Sequence, residues 1–134
     1  MIEDKRISYI NLCGSKYPMC LTVLVQDNIA KEYGSVQKML EKIDQDGLDA
    51  LPHWVFLIYQ LMIGGKARVK ALAFLAGEEV ETKNLPGPDQ LKEIVGWADI
   101  TESRKDIYKA IGFSVEQTVE AEEDDEKNGG TAQG

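Results

Sequence analysis

The stretch PHWVFLIYQLMIGGKARVKALAFLA, residues 52–76, decides the fold, because between Trp54 and Ile63 only Gln60 is not apolar. A run of that kind needs burial on every side. It is too short to cross a bilayer, and Gly64, Gly65, Lys66, Arg68 and Lys70 follow at once, so it reads as the buried helix of a domain rather than a membrane segment. Pro52 suits a first helical turn, where no backbone N–H is needed, and Asp49 is placed to accept from the free donors of that turn, so the helix should begin near residue 50. Gly64-Gly65 reads as its C-terminus or as a hinge. Beyond it Val69, Leu72, Ala73 and Ala76 recur at helical spacing and suggest a second, more amphipathic helix.

Upstream of this spine, residues 6–13 and 17–23 are rich in Ile, Tyr, Leu and Val and are separated by Gly14-Ser15-Lys16, the spacing of a β-hairpin. Ile7 and Tyr9 fall on one face and Ile10 and Leu12 on the other, so some cover on both faces is expected. Pro18 has no amide donor, which puts the second strand at an edge, and Tyr17, Met19 and Leu21 are the residues such an edge would offer to another copy of the chain. From Thr22 the pattern becomes helical through Val25, Ile29 and Tyr33, and Gly34 stops it. Ser35 can cap the next helix, with Val36, Met39, Leu40 and Ile43 on one side and Asp46-Gly47 at its exit.

Downstream, residues 78–88 (EEVETKNLPGP) read as an exposed loop, followed by helices from Asp89 and from about Thr101 to Gly112. Residues 120–134 hold no large apolar side chain and cannot offset the entropy of ordering, so a disordered acidic tail is expected there. The expected fold is α+β and mostly α-helical: an N-terminal β-hairpin packed on about six helices in one domain, residues 1–119, with the tail at 120–134. A chain of 134 residues suits one domain.

Charge and chemistry narrow the function. The formal net charge is −8, and the segment from Glu120 onward supplies six acids against Lys127, so the body is near neutral. Binding to a phosphate backbone needs clustered Lys and Arg, and nucleic acid is therefore not an expected partner. The N-terminal MIEDKRISYI has charges where a secretory signal would be apolar, so a cytoplasmic setting is expected, with Cys13 and Cys20 as free thiols filling space on strands. With His53 as the one histidine and no CxxC or HExxH spacing, neither a metal nor a cofactor is expected. No nucleophile elbow surrounds a serine or cysteine, and GGKA lacks the frame of a phosphate loop, so no catalytic residue is assigned.

What remains is a surplus of large apolar groups, namely Trp54, Phe56, Tyr59, Met62, Phe74, Trp97, Tyr108 and Phe113. Most of these belong to a core, but Met and aromatic side chains also suit a groove that adapts to the helices of another chain. Trp54, Phe56, Tyr59, Met62 and Trp97 are the candidates for that role. On the spine, Val55, Ile58, Leu61 and Met62 share one side while Trp54, Phe56 and Leu57 turn away from it, and Trp54, near the start of the helix, is the first choice for a groove aromatic.

The order of these features resembles the tail assembly chaperones of long-tailed bacteriophages and prophages. The likeness runs over residues 6–119 and rests on INLCGSKYPMCLT leading straight into a helix that ends at KEYG, then the apolar WVFLIYQLM, the polar loop, DQLKEIVGWA, RKDIYKAIG and an acidic tail. The resemblance implies a non-enzymatic protein of the host bacterial cytoplasm, absent from the mature virion. It would keep the helical, aggregation-prone tape measure protein soluble while the tail tube protein polymerises around it, and would bind the tape measure protein, the tail tube protein or further copies of itself. A small regulatory adaptor that binds one host or phage protein is the alternative, and a small enzyme the third reading.

Overall fold

The computed structural model describes residues 5–112. The hairpin is built from β1 (Ser8–Leu12) and β2 (Ser15–Met19), antiparallel, with Ile10 opposite Tyr17 and Tyr9 opposite Pro18. Its turn is tighter than the three residues expected. Cys13 and Gly14 both take positive φ, 52° and 82°, the conformation of a two-residue turn whose twist matches that of the strands. Cys13 is therefore an exposed turn residue and not a strand filler, whereas Cys20, just past β2, is buried. Alternation in β1 is strict: Ser8, Ile10 and Leu12 face inward, Tyr9 and Asn11 outward.

Helix α1 (Val23–Tyr33) starts where Thr22 Oγ1 accepts from the Val25 N–H at 3.2 Å. It ends at Gly34, whose φ of 96° only glycine adopts without strain. Helix α2 (Val36–Asp46) is capped by Ser35, which accepts from the Lys38 N–H at 3.0 Å, and a 3₁₀ turn at Gly47–Ala50 follows. That turn runs directly into helix α3 (Leu51–Leu75), which has Pro52 in its first turn, so Asp49 does not cap the helix as expected. Helix α4 (Pro88–Ile94) opens with Gln90 Oε1 accepting from the Gly87 N–H, and helix α5 (97–112) with Asp99 Oδ2 accepting from the Gly96 N–H.

The chief departure from the sequence reading is α3, one helix of 25 residues that passes through Gly64-Gly65 without a break. The two helices expected on either side of a diglycine hinge are one element, so the described residues hold fewer α-helices than the six or so expected. Both glycines are buried against the end of the hairpin. A Cβ on Gly64 would lie 2.1 Å from the Cys20 carbonyl oxygen, and one on Gly65 would lie 2.1 Å from that of Pro18. The pair is needed for close approach of two backbones, not for a turn. The Cys20 N–H donates to the Leu61 carbonyl at 2.9 Å, so α3 covers the outer edge of β2.

Around α3 a continuous core forms from Ile10, Leu12 and Met19 of the hairpin, Val25 and Ile29 of α1, Met39 and Ile43 of α2, Leu91 of α4, and Ile100, Ile107 and Ile111 of α5. Polar ties fix the frame. Ser8 Oγ donates to the Asp106 carbonyl at 2.6 Å, and Asn28 Nδ2 donates to Oε1 of the buried Gln60 at 3.0 Å. The one polar residue of the apolar run is thus satisfied by α1, as burial requires. Among the described residues, no helix is long and apolar enough to cross a membrane.

Candidate protein-interaction surfaces

Past Gly65, α3 is apolar on two sides, of which one is buried and the other exposed among the described residues. Ala73 is buried, with Val69 and Leu72 half-buried, and these make the side that faces inward. Ala67, Ala71, Phe74 and Leu75 recur at i, i+4, i+7 and i+8 on the other side, and all four are exposed. Phe74 and Leu75 are 81% and 79% exposed, values far outside the range of core side chains. The first turn of α1, seated on Gly64 through Val25, carries the exposed Val23 and Leu24. A tight turn closes the helix: Gly77, at φ 73°, donates to the Phe74 carbonyl, and the Glu78 N–H donates to that of Ala73. The chain then turns back, placing Val80 beside Phe74.

A second surface lies at the opposite end of α3. Trp54, Trp97, Tyr108, Ile43 and the exposed Leu48 line a cavity of about 380 Å³, with Asp44 and Arg104 as its charged members. Trp54 forms its floor: it is 2% exposed, with the Tyr108 ring edge-on at 6.1 Å and the Arg104 guanidinium 5.6 Å above its ring. Trp97 is half-buried at the wall.

Of the five expected groove residues, Trp54 and Trp97 border this cavity and the others lie elsewhere. Trp54, the first choice for a groove aromatic, is nonetheless a core side chain, because α5 covers the start of α3. Met62 is fully buried. Phe56 packs on Tyr33, centroids 5.5 Å apart, and is half-buried, as is Tyr59. Of the residues expected to offer an edge for self-association, Met19 and Leu21 are buried, and Tyr17 is half-buried under the Lys83 ammonium, 5.3 Å from its ring centroid. The open edge inferred from Pro18 is not open in the folded chain, since α3 occupies it. Phe74, Leu75 and Val80 were not among the expected contact residues. The signal that finds Phe74 and Leu75 is the second stripe, Ala67, Ala71, Phe74 and Leu75, on the side opposite the one that faces the body.

His53 uses both ring nitrogens: Nε2 meets Asp46 Oδ2 at 2.9 Å and Nδ1 meets the Tyr33 hydroxyl at 2.7 Å. The chain of three ties the ends of α1 and α2 to the start of α3. Burial would raise the Asp46 carboxyl, but hydrogen bonds from His53 and Lys42 outweigh it and hold the group below its ordinary range. Burial, with Glu32 and Asp46 nearby, pushes the Tyr33 phenol up. Among the described residues, no group of three His, Cys, Asp or Glu side chains is placed to hold a metal ion.

No family model, curated protein or solved structure matches this chain. The two apolar surfaces therefore stand on their own chemistry. The acidic segment 120–134 lies outside the described residues.

Proposed function

We propose that this protein is a non-enzymatic chaperone of phage tail morphogenesis that binds apolar helical segments of the tape measure protein in the host cytoplasm and keeps that protein soluble while the tail tube assembles. The observation that carries the reading is the exposed face of α3, where Phe74 and Leu75 stand four-fifths exposed at helical spacing from Ala67 and Ala71. Small residues let another helix approach closely, and the two large ones give it something to bury, worth about 1.5 to 3 kcal/mol for each side chain fully covered. The phage assignment rests on the resemblance carried by residues 6–119, and the acidic tail suits a protein that must keep apolar complexes in solution.

Co-expression with a tape measure protein tests this. The wild-type chain should move the client into the soluble fraction, and Phe74→Ser with Leu75→Ser should return it to the pellet while the chaperone itself stays folded. An unchanged client in the presence of wild type would reject the proposal.

The cavity at Trp97 favours a second reading, a regulatory adaptor, because a pocket of about 380 Å³ with Asp44 and Arg104 at its lining suits one specific side chain. A sharp one-to-one complex that is lost in Trp97→Ala and kept in Phe74→Ser would select the adaptor.

A further inference from the structure

The same turn that ends α3 places charge beside the exposed apolar face. A cleft of about 490 Å³ opens between the last turns of α3 and residues 78–81, with Ala73, Phe74 and Val80 as its apolar wall. Its polar rim is Glu78, Glu79 and Glu81 with Lys70. Glu81 also borders the neighbouring hollow lined by Lys16, Lys66 and Lys83, so Glu78 and Glu79 are the carboxylates that belong to this cleft alone. Three carboxylates and one ammonium at the carbonyl end of a long helix, where the backbone adds partial negative charge, make a cation-seeking rim. The segment that carries them is tied to the body on either side, by a backbone bond at one end and a lysine side chain at the other. The Glu78 N–H is bonded to the Ala73 carbonyl at 2.8 Å, and Lys83 Nζ donates to the Lys16 carbonyl on the hairpin at 2.9 Å. Among the described residues, no ion pair engages Glu78, Glu79 or Glu81.

We propose that this cleft docks a cationic amphipathic helix of the partner, with an apolar side chain seated against Phe74 and Val80 and Lys or Arg about one turn away on the glutamate rim. The inference rests on the reading of the chain as a binder of apolar helical segments and adds the charge that the bound segment carries. An apolar wall alone would accept any hydrophobic helix. The rim selects among them, because like charges placed against it are repelled and unlike charges are drawn in.

The experiment uses the full chain and two fluorescein-labelled peptides of about 18 residues, roughly five helical turns. Both carry the same leucine face, one with lysines and the other with glutamates on the opposite face, and binding is read by anisotropy at low and at physiological salt. The lysine peptide should bind about tenfold or more tightly than the glutamate peptide at low salt, with the gap narrowing as salt rises. In E78Q/E79Q/E81Q most of that preference should vanish. In E41Q/E93Q/E102Q, which removes as much charge at exposed sites elsewhere, it should persist. Phe74→Ser should weaken both peptides.

Equal affinity for the two peptides, or a preference as strong in E78Q/E79Q/E81Q as in wild type, would overturn the charge inference. The apolar-binding reading would still stand if Phe74→Ser weakened both. If Phe74→Ser weakened neither, the cleft would not be a docking surface and both would fall. A change in the oligomeric state of the peptide-free protein on Phe74→Ser would show that a second copy is the occupant, which also overturns the proposal.

Discussion

A methyl group on Gly65 would sit 2.1 Å from the carbonyl oxygen of Pro18, so the helix and the hairpin meet at a distance that no side chain permits. The contact explains why a helix-weakening pair stands in the middle of the longest helix. Gly64→Ala and Gly65→Ala should each raise intrinsic helix propensity by about 1 kcal/mol, yet lose more than that by forcing backbone apart. The expected net loss is about 2 to 4 kcal/mol in urea unfolding. A flexible hinge would respond in the opposite sense, so a stabilised alanine variant would refute the close-approach account.

Trp54 and Phe74 should divide in their responses. Trp54→Ala removes a ring that is 2% exposed and should cost about 3 to 5 kcal/mol of stability. Phe74→Ser, at a site 81% exposed, should shift stability by about 0.5 kcal/mol or less. Thermal or denaturant unfolding of the two variants side by side checks this, and comparable losses would mean that Phe74 is covered in solution.

The Tyr33–His53–Asp46 chain gives stability a pH dependence at both extremes. Asp46 is depressed below its ordinary 3.8, so its contribution is present above that value and is lost as pH falls through the lower, folded-state value. Tyr33 is raised above 10.0, so its contribution is present below pH 10.0 and is lost as pH rises through the higher folded-state value. Asp46→Asn should flatten the acid limb of a stability profile, and tyrosinate absorbance of wild type against Tyr33→Phe should show one late-titrating phenol. An acid limb unchanged by Asp46→Asn would remove the carboxylate from this role.

Thiol reactivity should separate the cysteines. Cys13, exposed at the hairpin tip, should react at once with a thiol reagent under native conditions, and Cys20, 3% exposed beside Gly64, only on unfolding. Two equally fast thiols would show that the junction of hairpin and helix opens readily.

Much of this architecture is written locally. Thr22, Gly34 and Ser35 place the ends of α1 and α2 through one hydrogen bond or one backbone angle each, Pro52 marks the start of α3, and the alternation of β1 appears residue by residue, because each depends on neighbours within a few positions. What the tertiary structure alone decided is the use to which ambiguous residues are put. A glycine pair serves a turn or a close approach equally well in sequence, and only the arrival of Pro18 and Cys20 from about 45 positions away selects the second. A helix apolar all round has no periodicity to say which side is covered. The packing of Tyr108 and Arg104 of α5 puts Trp54 inside, and among the described residues Phe74 and Leu75 are left out, because coverage of a long helix is fixed by where its neighbours end.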